Sequence, residues 1–463
     1  MRCCPSAAAC TSRGCCNDPL HQPRPNANPD PDRGGTGAPA HADARGTRRL
    51  AGRRWARLLA YLGVLGPGLI ASQAGNDAGG IATYSSAGSQ FGYRMLFFML
   101  LVAIGLVLVQ EMAARLGTFT GKGLAALIRE EFSLRVATFA LGCLLVANLG
   151  LVVSEFGGIG AAMELFGISR YLSVPVAAAI VWGLVVLGSY RYAERLFLLM
   201  ALVFFTYPIA AFLAHPNWSQ VAANTLVPHL LATKAFLLLG VAIIGTTISP
   251  YMQLYQAAAV ADKGITPEQY PLERVDAIAG AVFACAVAFF IIIATGATIG
   301  NTGPLASAAE AAKALEPVAG HHAELLFGIG LLGASALAAA VVPLSTAYAL
   351  SEALGVERSV SRTFREAPLF LGLFTGQIVV GAAVALLPGN LISLLINAYV
   401  LNGMITPIVL GFLVVLTSRR RLLGPATNPP AFRVVATVVV AIVSVLSTIV
   451  LAQTVLGWIG LGG

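Results

Sequence analysis

Long apolar runs separated by short polar segments fill most of the chain after residue 57. A helix needs about 20 predominantly apolar residues to cross the hydrocarbon core of a bilayer, and these runs are of that order. The pattern therefore predicts an all-α polytopic membrane protein with eleven transmembrane helices. The predicted spans are residues 58–87, 93–113, 136–158, 171–189, 194–214, 230–260, 275–300, 323–352, 368–388, 390–417 and 432–458.

Composition and charge agree with that prediction. The sequence is 57% hydrophobic and 11% charged, with a mean hydropathy of +0.79, which places most of it in lipid. Fifteen Lys and Arg residues lie in the segments after even-numbered helices, against four on the opposite side. By the positive-inside rule, the N-terminus is cytoplasmic and the C-terminus lies outside the cell (inner) membrane. The net charge of +8 thus reflects topology and requires no nucleic-acid partner.

Residues 1–56 differ from the rest, because they are rich in Pro, Gly, Asn, Asp and Arg and lack apolar periodicity. That composition predicts a disordered cytoplasmic tail, followed by a membrane domain over residues 57–463. No signal peptide is evident, since the charged region is long and the first apolar run continues too far for a cleaved one. The tail contains five cysteines, Cys3, Cys4, Cys10, Cys15 and Cys16. They allow three interpretations: a small zinc site, a tail of chance composition, or a misassigned start codon.

The first apolar run contains a carboxylate, Asp77, within GPGLIASQAGNDAGGIATYSSAG from Gly66 to Gly88. An unpaired charge at membrane depth costs at least ~2.5–3.5 kcal/mol, so such an acid is by default a site for a cation, a proton or a counter-ion. The surrounding glycines and proline disfavour a continuous helix, and unwound backbone is tolerated at that depth where it lines a cavity. The alternative is a kinked helix whose acid is paired for structure.

A second interruption lies in the sixth run, IIGTTISPYMQLYQ, where Gly245 and Pro250 occur. Breaks in the first helix of each of two five-helix halves indicate an inverted-repeat transporter with its site at the midplane. Helix C-terminal carbonyls there carry partial negative charge, which suits a cation. Two unrelated kinks are the alternative. The first interpretation gives repeat one at about 57–215, repeat two at about 228–417 and an extra helix at about 432–458.

At these residues the chain resembles the Nramp family of divalent-metal transporters, whose first helix carries Asp-Pro-Gly-Asn followed by a run ending AGAQFGY. Here Asp77-Ala78-Gly79-Gly80 precedes IATYSSAGSQFGY, and QEMAARLG at Gln110–Gly117, TGKGL at Thr120–Leu124 and LLFGIGLLGAS at Leu325–Ser335 also resemble family segments. The resemblance implies a LeuT-like core of 5+5 helices plus one extra helix. It also implies transport of a divalent metal ion, without enzyme activity and without a resident cofactor.

The resemblance supplies a candidate ligand set, and the chain departs from the family within it. The family's Asn falls on Gly80, and its Met-Pro-His falls on Ser249-Pro250-Tyr251. Replacing a thioether by a hydroxyl favours harder cations such as Mg²⁺ or Mn²⁺, so the chain is similar in this respect to the Nramp-related magnesium transporters. The family's Gln in the tenth helix corresponds to Asn402 or, by strict alignment, Met404; the alternative for Asn402 is an amide that hydrogen-bonds helices together. The candidate metal-binding residues are Asp77, Asn76, Gly80, Thr246, Ser249, Tyr251 and Asn402.

The resemblance also bears on proton coupling. Proton-coupled members are similar in an Asp and a Glu one turn apart in the third helix, plus the His of Met-Pro-His. Here the Glu falls on Glu155, while Val152 stands at about the position of the Asp and Tyr251 replaces the His. We therefore expect weak or absent proton coupling. Glu155 itself is either a proton carrier or a structural acid.

Competing functions differ in the residues that they need. A proton-coupled Mn²⁺ or Fe²⁺ transporter stays open, as does an amino-acid permease of the same fold, although Asp77 would repel a substrate carboxylate. A channel needs a continuous polar pore, which the sequence does not show. A membrane-embedded hydrolase needs a metal cluster or an activated nucleophile, and the sequence contains neither HExxH nor GxSxG.

Overall fold

The structure is a computed structural model that describes residues 76–186, 206–229, 231, 233–356 and 364–458. These residues all belong to one unit, Ala56–Gly463, and within them the chain is helical and contains no strand. The predicted tail, residues 1–56, lies outside the described residues. In chain order the α-helices are α1 Ala78–Phe91, α2 Leu96–Thr120, α3 Leu124–Glu131, α4 Leu134–Leu165, α5 Arg170–Val186, α6 Thr206–Leu213, α7 Trp218–Leu226, α8 Lys234–Thr247, α9 Pro250–Asp262, α10 Tyr270–Ile299, α11 Ala308–Ala312, α12 Glu316–Ala319, α13 Ala323–Leu354, α14 Pro368–Ala385, α15 Leu391–Thr417, α16 Arg420–Leu423 and α17 Pro430–Trp458, with 3₁₀ turns at Lys313–Leu315, Gly320–His322 and Gly424–Ala426.

Eight of the predicted spans coincide with helical segments that are long and apolar enough to cross a membrane. They are α2, α4, the α8–α9 pair, α10, the segment Ala308–Leu354 that ends in α13, α14, α15 and α17. The other three predicted spans, 58–87, 171–189 and 194–214, lie partly outside the described residues. Their described parts are α1, the shorter apolar helix α5 and α6. The total of eleven therefore stays a prediction.

Helix α2 continues to Thr120 instead of ending with its apolar run near residue 113. Its last turns contain buried polar side chains, among them Arg115, and the partners of Arg115 hold this end of the helix in place. The Arg115 guanidinium lies 3.2 Å from the Glu111 carboxylate, donates to the Asn428 side chain at 2.5 Å and stacks 5.2 Å above the Phe432 ring. A buried guanidinium needs such partners, and these contacts fasten α2 to the start of α17.

A second ion pair joins α3 to the segment that follows α15. The Glu131 carboxylate contacts the guanidinium groups of Arg419 and Arg421, each at 2.6 Å. Hydrogen bonds from Arg421 and then from Arg419 lower the pKa of the Glu131 carboxyl below its usual range. Glu131 therefore stays ionised at neutral pH and holds the end of α3 in place.

Helices α4 and α15 form the centre of the packing. Helix α4 packs against α13, α14 and α15, while α15 also packs against α8, α1 and α17. Helix α1 lies against α10, α15, α8 and α4, and nearly all of its side chains are buried. Because Thr83, Ser85 and Ser86 are among them, this short helix is a polar element inside an apolar bundle. The two predicted breaks lie at its start and in the α8–α9 pair.

Candidate metal-ion site

The start of α1 and the break between α8 and α9 both lie beside α15. Helix α1 begins at Ala78, directly after Asp77, and α8 ends at Thr247 before α9 begins at Pro250. Helices α1 and α8 pack against each other, and Tyr399 of α15 contacts both Asp77 at the start of α1 and Gly245 near the end of α8. Backbone N–H groups at a helix start carry partial positive charge, and carbonyls at a helix end carry partial negative charge. The break in the sixth run is thus confirmed, and at the first the described chain is non-helical at residues 76 and 77.

Asp77 is the N-cap residue of α1. Its Oδ1 accepts a hydrogen bond from the backbone N–H of Gly80 at 2.9 Å, and its Oδ2 accepts one from the hydroxyl of Tyr399. The side chain is buried, with 2% of Asp77 exposed. Aspartate is among the preferred N-cap residues because its oxygen satisfies a free N–H of the first turn. The cap therefore fixes the orientation of the Asp77 carboxylate.

Asn402 of α15 hydrogen-bonds to residues at the break between α8 and α9. Its amide nitrogen donates to the Gly245 carbonyl at 2.6 Å and to Ser249 Oγ at 2.7 Å, and Ser249 Oγ donates to the same carbonyl at 2.5 Å. Both side chains are buried. The amide oxygen of Asn402 has no hydrogen-bond partner among the described residues. It is a buried acceptor that is available to a cation.

Two glycines allow α8 and α15 to approach closely enough for these bonds. A Cβ atom at Gly245 would overlap the Tyr399 carbonyl oxygen, and one at Gly403 would overlap the Val241 carbonyl oxygen. Glycine is the residue that permits such backbone contact. The hydrogen bonds of Asn402 therefore depend on main-chain packing as well as on the side chain itself.

Glu155 brings a second carboxylate to the site. Its Oε1 lies 3.3 Å from the hydroxyl of Tyr399, which donates its proton to Asp77, and the Glu155 side chain is fully buried. Asp77 is the only acidic residue at the first break of the sequence, but it is not the only carboxyl group at the site. Val152, one turn earlier on α4, packs against Gly381 of α14. Glu155 is thus part of the site, and its neighbour one turn away is apolar.

The remaining four of the seven candidate metal-binding residues lie at different positions around the two breaks. The Asn76 amide donates to the Ala284 carbonyl on α10 at 3.5 Å. Gly80 supplies a backbone N–H, which binds the Asp77 carboxylate and not a cation. Thr246 is buried in the last turn of α8, and Tyr251 is buried in the first turn of α9.

Sequence reasoning missed Tyr399, which contacts both carboxylates. The signal for it is its spacing, since it lies three residues before Asn402 and residues three apart share a face of a helix. Tyr84 was missed as well. Its hydroxyl forms a 2.8 Å hydrogen bond with Thr247 Oγ1, which ties the middle of α1 to the end of α8.

These contacts define what the site can bind. The donor set is made of carboxylate, amide, hydroxyl and carbonyl groups, and Glu155 Oε2 joins Asn402 Oδ1 as a buried acceptor without a hydrogen-bond partner in the described chain. No group of three or more His, Cys, Asp or Glu side chains is placed to hold a metal among the described residues. Oxygen ligands with few charges suit a hard divalent cation that keeps part of its water shell.

Comparison with known proteins identifies the family. The family model described as natural resistance-associated macrophage protein-like matches residues 68–453. The chain belongs to the Nramp family. Two Nramp relatives named divalent metal cation transporter MntH come from Ralstonia nicotianae and Caldanaerobacter subterraneus. They are 29% and 25% identical, and the matches cover 87% and 89% of this chain and 93% and 99% of the relatives.

Solved structures agree in fold. A mutant of the Eremococcus coleocola manganese transporter matches with a TM-score of 0.69 at 21% identity, over 88% of this chain and 89% of that one. Mhp1, a nucleobase-cation-symport-1 family transporter, matches with a TM-score of 0.52 at 14% identity, over 83% and 90% of the two chains. The Nramp chain thus has the all-helical LeuT-like architecture. As a member of this family it is a multi-pass membrane transporter and not an enzyme.

Proposed function

We propose that this Nramp protein moves a divalent metal cation, Mg²⁺ or Mn²⁺, across the cell membrane by alternating access at a midplane site around Asp77. The observation that carries the proposal is the buried set of oxygen groups at two helix interruptions, with the Asp77 carboxylate capping α1 and the Asn402 amide oxygen free to accept. The cation is cargo, and the transporter needs no resident cofactor. The relatives named divalent metal cation transporters support the substrate class.

The choice of ion rests on the position of Ser249. Its hydroxyl is hydrogen-bonded to the Gly245 carbonyl and to the Asn402 amide, so a hydroxyl oxygen lies where the family resemblance places a thioether sulfur. Oxygen ligands favour Mg²⁺ and Mn²⁺ over soft transition metals. Mn²⁺ is included because the Eremococcus coleocola protein of the same fold is named a manganese transporter.

Weak or absent proton coupling is the second part of the proposal. A proton relay needs titratable groups within reach of one another. One turn from Glu155 stands Val152, which packs on Gly381, and the position of the family's histidine is a buried tyrosine, Tyr251. Glu155 therefore has no titratable neighbour at the position where the coupled members carry an aspartate.

The membrane arrangement follows from the sequence. We place the N-terminus and the tail 1–56 in the cytoplasm and the C-terminus outside, with eleven spans arranged as repeat one, repeat two and an extra helix. The eight described spans support the predicted helix positions, since each coincides with one of the predicted spans.

Uptake into proteoliposomes tests the proposed function. The purified protein is reconstituted, and entry of Mg²⁺, Mn²⁺, Ca²⁺, Co²⁺ and Cd²⁺ is followed for the wild type, Asp77→Ala and Asp77→Asn. Asparagine keeps an oxygen that can cap α1 and removes only the charge. We expect both variants to lose at least about tenfold in cation affinity, because the cation loses a formal counter-charge in a low-dielectric site.

Circular dichroism and size-exclusion profiles of Asp77→Asn provide the control for folding. Near-wild-type uptake by a well-folded Asp77→Asn protein would refute the assigned site. Cation-independent uptake of an amino acid by the wild type would favour the permease interpretation instead.

A further inference from the structure

The hydroxyl of Tyr399 lies between the two carboxylates of the site. It donates to Asp77 Oδ2, and it lies 3.3 Å from Glu155 Oε1. Tyr399 and Glu155 are completely buried, and Asp77 nearly so. One phenol from α15 thus joins an acid that caps α1 to an acid on α4, at sequence separations of 322 and 244 residues.

The ring of Tyr399 is held in position by its surroundings. A Cβ atom at Gly79, the residue two after Asp77, would overlap the Tyr399 ring, so the aromatic face lies directly on the first turn of α1. The backbone of Tyr399 is held as well, because its carbonyl oxygen contacts α8 at Gly245. The hydroxyl is therefore placed between the acids by packing on both sides.

Two neighbouring carboxylates are costly to bury without a counter-charge or hydrogen-bond donors. When a divalent cation is bound, its charge stabilises both. An alternating-access transporter that imports its cargo must also return the site to the loading side without the cation. During that step the buried acids still need hydrogen-bond donors, also when one of them carries a proton. Tyr399 contacts both acids.

From this geometry we infer that the Tyr399 hydroxyl takes the place of the cation between Asp77 and Glu155 while the empty transporter returns. The inference rests on the proposed function, since it takes Asp77 as the cation site. It makes Tyr399 a positioning residue whose bond to Asp77 competes with cation binding. The acceptors without partners, Asn402 Oδ1 and Glu155 Oε2, are the oxygens that the cation uses when it arrives.

Tyr399→Phe isolates the hydroxyl, because phenylalanine keeps the ring that packs on Gly79. Three quantities are measured: Mn²⁺ affinity by titration calorimetry, net Mn²⁺ uptake into ion-free liposomes, and exchange of external radioactive Mn²⁺ for internal Mn²⁺. Loss of the hydroxyl destabilises the ion-free site, so we expect Mn²⁺ to bind about tenfold more tightly, in line with a lost hydrogen bond to a charged group. Net uptake should fall about tenfold or more, whereas exchange, which needs no empty return, should stay within about twofold.

Tyr207→Phe is the matched control, because Tyr207 is a fully buried tyrosine on α6. It should leave the ratio of exchange to net uptake at the wild-type value. Glu155→Gln supplies a second line of evidence. With one carboxylate neutralised, Tyr399→Phe should change that ratio much less than it does in the wild-type background.

Weaker or unchanged Mn²⁺ binding in Tyr399→Phe would overturn the inference, since a hydroxyl that acts as a ligand weakens binding when it is removed. Equal loss of net uptake and exchange would also overturn it, because that result is expected of a purely structural residue. Both of these results concern the variant alone, so the proposed function stands as long as the wild type transports Mn²⁺. A wild-type protein that neither binds nor moves any divalent cation would instead refute the proposed function.

Discussion

At the scale of single residues, the site depends on which groups donate and which accept. Asn402 directs its N–H groups to Gly245 and Ser249, and this leaves its oxygen as an acceptor. Ser249 accepts from that amide and donates to the Gly245 carbonyl. The side chain at position 249 therefore helps to hold the backbone at the break between α8 and α9. It also determines whether a hard or a soft ligand atom is present there.

Exchanging Ser249 for methionine tests the second of these effects. We expect Ser249→Met to lower the ratio of Mg²⁺ uptake to Cd²⁺ uptake by about tenfold or more, because it introduces a soft thioether and takes space from a hydrated ion. Competitive uptake in proteoliposomes gives the ratio directly. Ser249→Ala removes the same hydroxyl without adding sulfur, so it should reduce the uptake of both ions without favouring Cd²⁺. An unchanged ratio in Ser249→Met would mean that residue 249 does not contact the ion.

At the scale of elements, α15 connects the two interruptions. Tyr399 contacts the acid that caps α1, and Asn402, one turn later, contacts the end of α8 and the start of α9. The approach of α8 and α15 that makes this possible depends on Gly245 and Gly403. Added volume at either glycine has to separate the two helices or distort one of them.

Gly403→Ala tests that contact. The added methyl group would overlap the Val241 carbonyl oxygen, so we expect a loss of about 1–3 kcal/mol in stability together with impaired uptake. Gly411→Ala on the same helix is the control, because a Cβ atom there meets nothing within 4 Å. That variant should be neutral or slightly stabilised, since alanine favours helix by about 1 kcal/mol. Thermal unfolding in detergent compares the two, and equal midpoints would contradict the proposed packing.

Element-scale features differ in how well the sequence predicts them. The interruption of the sixth helix follows from Pro250, which begins α9, whereas Gly245 lies inside α8 and serves the packing against α15. Eight spans follow from hydropathy alone. The place of Glu155 beside Asp77 does not follow, because it depends on how α4 and α1 pack. Tyr399 looks like an ordinary aromatic residue of an apolar helix until the partner of its hydroxyl, 322 residues away, is known. The role of Gly80 as a donor to Asp77 likewise depends on the cap geometry.

At the scale of the whole molecule, the charge on the cargo decides what drives transport. A divalent cation that moves inward gains roughly 4.6 kcal/mol per 100 mV, twice the ~2.3 kcal/mol for one charge, so an inside-negative potential suffices to accumulate it. The orientation that we propose from the positive-inside rule, with the basic loops in the cytoplasm, fits a protein that works in such a potential. No second ion is required by this balance.

We therefore expect metal entry with little or no accompanying proton movement. Glu155 is retained in the site, but Val152 stands one turn away, where the coupled members carry an acid, and the family's histidine position holds Tyr251, a phenol with a reference pKa of ~10. Metal uptake and internal pH are recorded together in liposomes whose potential is set by a potassium gradient and valinomycin. Uptake should rise with the inside-negative potential while internal pH stays constant. Stoichiometric acidification that tracks each metal ion and disappears in Asp77→Asn would show that the carboxylate pair carries protons, and that a route for them exists through residues other than Val152 and Tyr251.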